Sequence, residues 1–230
     1  MSARLRLFVI FLGALLVLAT YTFPRWKVFF EQTQTEESFP GLVEELQPVY
    51  RELPGNDRRL YLMMRQENPE MALAMLRARI AGDVVVSEEG QTRPDVATAV
   101  VVRRGTFVEL DPDNDLLNDL LLDPEFISPY QLDLWTSEGD IIIYQYPDSR
   151  KLIWMTDFVV SAGPDLRVAL VRSPLPLTFD DMGADFVDFP LQGNIGDQGF
   201  IVGADIDITQ FNSIVIYDAT WQVIFAVALI

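Results

Sequence analysis

From about residue 99 to the C-terminus, apolar residues recur with a period of two, and no other feature constrains the fold more. Short groups of glycine, proline, asparagine and aspartate separate the apolar runs, a pattern that predicts β-strands joined by turns. The predicted strands are residues 99–103, 105–110, 140–146, 152–160, 166–172, 199–202, 213–217 and 221–229. The sequence therefore predicts a mainly β fold, either an antiparallel β-sandwich or a partly closed barrel.

The last apolar run, residues 221–230, is apolar on both alternating sets of positions. A strand with one face in water would show apolar residues on one set only. Ten residues are too few for a helix to cross a bilayer, which takes about 20. This run is therefore predicted to be a central strand that is buried on both faces.

The N-terminal region carries an uncharged apolar stretch of 17 residues, 7–23. This length is close to the minimum for a transmembrane helix, and Trp26 with the flanking cations is typical of a membrane interface. A cleaved signal peptide is the alternative, with residues 17–19 as the cleavage site. Because the apolar run continues beyond that site, we expect an uncleaved single-pass signal-anchor over residues 1–27. It would place the C-terminal domain on the extracytoplasmic side of the cell membrane.

Between the anchor and the β-domain, the sequence predicts a polar spacer over residues 28–38, a helical segment over 39–82 and a linker over 83–98. Apolar residues recur at helical spacing over 42–53, and Asp57 is a candidate N-cap for a second helix. Asn68, Pro69 and Glu70 are a start signal for a third helix, which Gly82 would end.

The acidic charge of the chain is concentrated in its C-terminal part. Residues 105–230 hold 21 acidic residues against four basic ones, and this surplus equals the net charge of −17 of the whole chain. Such a surface repels phosphate backbones, so nucleic-acid binding is not expected. It also repels anionic lipid headgroups and attracts cationic partners or divalent cations.

The chain contains neither cysteine nor histidine. Disulfides, thiolate catalysis, cysteine-ligated zinc and iron–sulfur clusters are therefore excluded, and the usual general base, zinc ligand and haem ligand are missing. No nucleophile elbow, phosphate loop or dinucleotide fingerprint occurs. The sequence therefore predicts a protein that is not an enzyme, with no catalytic residues, cofactor or metal.

Three stretches, in order, resemble the DM-thirteen family, a small all-β module often found beside DOMON domains. They are Gly105-Thr106-Phe107 with residues 137–141, residues 158–170 around Gly163-Pro164-Asp165-Leu166, and residues 191–228. The third stretch is the most specific, because turn residues and spacing match over its length. The resemblance covers roughly residues 105–230, and it implies an all-β fold for this acidic domain.

The resemblance implies a role in redox or electron transfer, which in the family rests on a cysteine in the penultimate strand region. Asp218 stands at the matching position here, and a carboxylate neither shuttles electrons nor forms a thiolate ligand. The histidine often found near the family's first strand is also missing. We therefore expect Asp218 to be a turn residue, or else an interaction position that binds a cation or amine beside Tyr217 and Trp221.

Other acidic groups have the spacing of possible sites. Asp111, Asp113 and Asp115 are spaced as in a calcium loop, but Leu116 stands where the turn glycine belongs and Leu122 where the bidentate glutamate belongs. Asp205 and Asp207 are expected on one face of a strand, where paired carboxylates could serve glycoside hydrolysis. A loop cluster is expected from Asp180, Asp181, Asp185 and Asp188. The favoured interpretation of these groups is a solvated acidic surface on which carboxylates come together by chance.

The sequence therefore predicts a membrane-anchored extracytoplasmic binding or assembly module whose partners are the membrane and another protein or membrane complex. One alternative is an accessory protein of a redox or electron-transfer membrane system. The other is a calcium-dependent interaction domain.

Overall fold

The computed structural model describes residues 37–107 and 129–230. The chain divides into two compact units, with the boundary between Leu62 and Met63. The predicted membrane anchor, most of the predicted spacer and the calcium-like loop lie outside the described residues. Within the described ranges, no helix combines the length and the apolar character that a membrane crossing requires.

The first unit contains a single 3-10 turn, Glu44–Leu46, which runs into helix α1, Gln47–Glu52. Phe39 and Tyr50 are both fully buried, and their rings meet edge to face at 5.6 Å. The Gln47 side chain holds the incoming chain, because its amide accepts from Phe39 N and donates to the carbonyls of Phe39 and Leu42. The helical period predicted over 42–53 is thus confirmed for residues 44–52.

Helix α2, Gly55–Glu67, and helix α3, Pro69–Ala81, follow. The start predicted for the third helix is confirmed, because Asn68 Oδ1 accepts from Met71 N at 3.1 Å and Pro69 occupies the first helical position. Gly82 follows the helix with a φ of 86°, which favours glycine. Asp57 lies in the first turn of α2 and is not its N-cap.

Eight strands form one sheet in which every pairing is antiparallel. They are β1 Val100–Phe107, β2 Ser137–Gln145, β3 Lys151–Val160, β4 Leu166–Val171, β5 Val187–Pro190, β6 Gln198–Val202, β7 Ser213–Asp218 and β8 Val223–Leu229, and a short helix α4, Pro129–Asp133, precedes β2. The spatial order is β5-β4-β7-β8-β1-β2-β3-β6.

The sheet curls into a nearly closed barrel. Its two end strands, β5 and β6, approach each other, since the rings of Phe189 and Phe200 lie 5.7 Å apart. The core is apolar, and alternate residues of several strands contribute fully buried side chains to it, including Ile141, Ile153, Met155, Ile214 and Ile216. The predicted mainly β fold is therefore confirmed, in its partly closed barrel form.

Strand β8 lies between β7 and β1, and residues 224–228 are buried. This confirms the central strand predicted from its two apolar sets of positions. Its start is later than predicted, because residues 219–222 form the turn from β7.

The predicted strands differ from the observed ones at two places. Residues 100–107 form one strand with a register shift between Val101 and Arg103, where the sequence predicted two strands. Strand β5 was missed because it has only four residues, ends at a proline and follows an acidic loop.

Candidate functional site

Asp218 ends β7 and organises the turn into β8. One carboxylate oxygen accepts from Trp221 N at 2.9 Å, and the other accepts from Asp165 N at 2.8 Å, across the sheet in the β3–β4 connection. Ala219 N in turn donates to the carbonyl of Asp165 at 2.9 Å. The carboxylate therefore ties its own turn to the Gly163–Leu166 segment, and both of its oxygens are engaged by backbone N–H groups.

The side chain of Asp218 has no exposed surface. Burial raises the pKa of its carboxyl group, because a charged group is less stable away from water, and the backbone hydrogen bonds from Asp165, Trp221 and Thr220 offset this effect only in part. Tyr217 does not share its environment, since the Tyr217 hydroxyl bonds to Asp188. The Asp218 carboxylate is thus placed behind the turn, out of contact with solvent.

Two connecting segments meet beside this turn and line a cleft of about 400 Å³. One is the β3–β4 connection with Gly163, Pro164 and Asp165, and the other follows β5 and runs from Leu191 to Asn194. Ala78, Ala81 and Gly82 of helix α3 and its C-terminus close the third side. The cleft is therefore built mainly from small and apolar groups, with the exposed Asp165 at its rim.

Asn194 fixes one wall of the cleft. Its side chain is buried, accepts from Val84 N at 2.6 Å and donates to Asp83 Oδ1 at 2.7 Å and to the Val160 carbonyl at 2.9 Å. A Cβ on Gly193 would lie only 2.5 Å from the Val84 carbonyl oxygen. Asp83 and Val84, in the segment predicted as a linker, are therefore hydrogen-bonded to the turn that contains Asn194.

Gly193 and Gly196 are required in this turn for different reasons. Gly196 has a φ of 112°, which favours glycine, whereas Gly193 is required by the close approach of the backbone at Val84.

A second polar group lies on the other face of β7 and was missed by the sequence analysis. The Tyr217 hydroxyl donates to Asp188 Oδ2 at 2.6 Å, and Arg167 Nε donates to the same oxygen. These residues come from three adjacent strands, β7, β5 and β4. The positions of Arg167 and Asp188 on paired strands would have indicated this group. That pairing could not be recognised in the sequence, because β5 was not predicted.

The electrostatics of this group favour an ionised carboxylate. Burial raises the pKa of Asp188, but the hydrogen bonds from Tyr217 and Arg167 outweigh burial and hold it below its usual value. The pKa of Tyr217 is raised, first by burial and then by its bond to Asp188, so the phenol keeps its proton.

The other acidic candidates do not gather into one site. Asp205 and Asp207 lie in the loop after β6, which corrects the prediction that they share a strand face. Lys151 anchors this loop by donating to the carbonyls of Ala204 and Ile206, and Asp207 caps the 3-10 turn Ile208–Gln210. These hydrogen bonds hold the segment after β6 as a loop, and no strand forms there.

The predicted Asp180–Asp188 cluster is also divided. Asp181 bonds to Thr178 in a local turn, while Asp188 belongs to β5. Among the described residues, no group of three acidic side chains is arranged to hold a metal ion.

Residues 130–230 match the family model described as Electron transfer DM13. The match begins in helix α4 and spans β2 to β8, which confirms the resemblance to the DM-thirteen family for that part of the chain. No curated protein and no solved structure matches the chain.

Proposed function

We propose that this protein, whose residues 130–230 match the Electron transfer DM13 family model, is a membrane-tethered accessory of an electron-transfer system that acts by binding a redox partner. The association with electron transfer comes from the matched family. We propose binding as the mode of action because Asp218, at the position of the family cysteine, offers no thiol and no exposed ligand atom.

The observation that carries the proposal is the meeting of two family-like segments at one cleft. Residues 163–166 and 191–194 are far apart in the chain, and both line the same cleft of about 400 Å³. Small-molecule sites are commonly clefts of this size with apolar walls and a few polar groups, and we propose that a side chain of the partner protein occupies this one. The Asp218 carboxylate behind the cleft holds one wall in place through Asp165 N.

Charge and tethering indicate the kind of partner. The acidic surplus of residues 105–230 favours a partner with a basic surface and disfavours lying on anionic lipid. The anchor predicted over residues 1–27 would hold the domain near membrane-bound partners and raise their effective concentration. We therefore expect the partner to be a membrane-associated redox protein.

The test is a variant that fills the cleft. Ala81 is exposed and lines it, so Ala81→Trp places a large side chain there. Ala97→Trp adds the same side chain at an exposed position outside the cleft lining and is the matched control. Full-length wild type and both variants are extracted from host membranes in mild detergent, and the complexes are compared on native gels and by visible absorption.

Wild type and A97W are expected to co-migrate with a protein whose visible band reveals an electron-carrying cofactor. A81W is expected to retain about tenfold less of it, as for the loss of a central interface contact. A wild-type protein that runs alone, or with a partner that carries no redox centre, would overturn the proposed function. Equal retention by A81W and A97W would exclude the cleft as the binding surface.

A further inference from the structure

Tyr217 is a buried phenol with a short hydrogen bond to a carboxylate. Only 3% of the residue is exposed, and its hydroxyl donates to Asp188 Oδ2 at 2.6 Å. Arg167 donates to the same oxygen, so the carboxylate is held in a fixed position between a cation and a phenol. The proton that the phenol would lose on oxidation already lies in a bond to a base.

Aromatic and apolar groups surround the phenol ring. The rings of Phe179 and Phe186 lie 5.6 and 5.9 Å from that of Tyr217. The same cluster contains buried aliphatic side chains from β4, β7 and β8, namely Ala169, Val171, Val215, Ile224 and Val227, with Met182 from the preceding loop. Water is therefore kept from the ring, while Arg167 and Asp188 remain about 30% exposed at the surface.

We propose that Tyr217 is a one-electron redox group that uses Asp188 as its proton acceptor. In the forward step, an electron passes from the Tyr217 ring to a one-electron oxidant of high potential, either a metal centre or an organic radical of the partner. The phenolic O–H bond breaks, its proton moves to Asp188 Oδ2, and a neutral phenoxyl radical and a protonated carboxyl remain. In the reverse step, the partner returns the electron to the Tyr217 ring, and Asp188 Oδ2 returns the proton to the phenolic oxygen.

The arrangement suits this step because loss of the electron without the proton would leave a cation in an apolar cluster. The hydrogen bonds from Arg167 and Tyr217 hold the pKa of Asp188 below its usual value despite burial, so the acceptor is in its basic form when oxidation begins. The proton moves within an existing hydrogen bond, as a positioned base requires.

Two other tyrosines provide comparisons inside the same domain. The Tyr144 hydroxyl is the acceptor of a bond from Arg93 Nη1 at 3.1 Å, so its polar partner is a cation and not a base. Tyr130 is the stricter comparison, since burial and Glu67 raise its pKa to about 12. Its ring lies 6.2 Å from that of Trp135, outside the Phe179–Phe186 cluster.

The proposal goes beyond the proposed function, because it gives this chain a redox group of its own in place of the family cysteine. It is tested on the isolated full-length protein in detergent, with no partner present. Its failure would leave the partner-binding proposal standing, and the reverse also holds.

The experiment uses photochemically generated tris(bipyridine)ruthenium(III) as the oxidant and follows the neutral phenoxyl radical by transient absorption and electron paramagnetic resonance. Wild type is compared with Tyr217→Phe, Asp188→Asn, Tyr144→Phe and Tyr130→Phe. Thermal unfolding and near-ultraviolet circular dichroism of each variant establish that it is folded. Phenylalanine keeps the ring packing at position 217, and asparagine keeps the shape at position 188.

The long-lived phenoxyl signal is expected to disappear in Y217F and to persist in Y144F and Y130F. In D188N, the rate of radical formation is expected to fall by about a hundredfold, the lower range for loss of a positioned proton acceptor. A signal that survives in Y217F, or one lost in Y130F, overturns the proposal. An unchanged rate in a folded D188N protein removes Asp188 as the acceptor and overturns it equally.

Discussion

Asp218 and Tyr217 are neighbours in the chain, yet their polar groups contact different parts of the domain. The Asp218 carboxylate holds the β7–β8 turn against Asp165, while the Tyr217 hydroxyl binds Asp188 on β5. Successive residues of a strand face opposite sides of the sheet, so two adjacent polar residues serve separate structures. The Tyr217 hydroxyl and the Asp218 carboxylate therefore do not form one group, whereas Trp221 N does bond to Asp218.

Asp218→Cys tests whether the position of the family cysteine is accessible in this fold. The chain has no other cysteine, so the variant carries a single thiol. We expect an aromatic disulfide reagent to label it about a hundredfold more slowly in the native state than in urea, because a site with no exposed surface reacts only after local opening. The measurement is the rate of thiolate release.

The control for this prediction is Thr220→Cys, two residues further along the same turn, where the side chain is exposed. It is expected to be labelled at nearly the same rate in both states. Comparable native rates for D218C and T220C would contradict the buried environment assigned to Asp218.

At the level of elements, the sequence predicted those parts of the fold whose pattern is local. The start of α3 at Asn68 and the doubly buried strand β8 follow from nearby residues, and both are confirmed. Strand β5 has only four residues, and its place is set by pairing with β4, which lies about twenty positions earlier. Its absence from the prediction hid the contact between Arg167 and Asp188.

The turn at Gly193 and Gly196 shows the same limit within one motif. Both glycines lie in the turn between β5 and β6. Positive φ explains Gly196, but the need for Gly193 arises from Val84, more than a hundred positions away. A close approach between distant segments leaves no local pattern, so the clamp formed by Asn194 could not be predicted either.

Gly193→Ala tests this close approach. A Cβ at 2.5 Å from the Val84 carbonyl oxygen and 2.9 Å from Val86 N meets backbone on both sides, so the segment must shift. We expect a loss of about 1–3 kcal/mol in the free energy of unfolding, as for other overpacked sites. Urea unfolding, followed by tryptophan fluorescence, measures the change.

Gly203→Ala is the control for Gly193→Ala. The nearest neighbour of its Cβ is the Asp205 side chain, which is exposed and can move away. Its unfolding free energy is expected to stay within about 0.5 kcal/mol of wild type, as for most surface changes. A loss in G203A as large as that in G193A would show that the clamp at Val84 is not the cause.

For the whole molecule, the acidic surplus makes stability depend on pH through terms of opposite sign. Repulsion among the carboxylates of residues 105–230 weakens as acid neutralises them, which favours the folded state. The raised pKa of Asp218 acts in the same direction: its contribution is fully present below its unfolded value and is lost as pH rises through its folded value. Asp188 acts in the opposite direction, because its folded pKa is lowered.

Asp188→Asn isolates the contribution of Asp188 to the pH dependence of stability. The contribution of Asp188 is present above its unfolded pKa, about 4, and is lost as pH falls through its lower folded value. The stability difference between wild type and D188N is therefore expected to be constant from pH 7 down to about 5 and to shrink below about 4, as wild-type Asp188 takes up its proton. Urea unfolding across this range measures it, with Asp185→Asn, an exposed carboxylate in the preceding loop, as control. If the difference between wild type and D188N grows in acid, Asp188 is not held ionised by Arg167 and Tyr217, and the assigned charge state of the group is wrong.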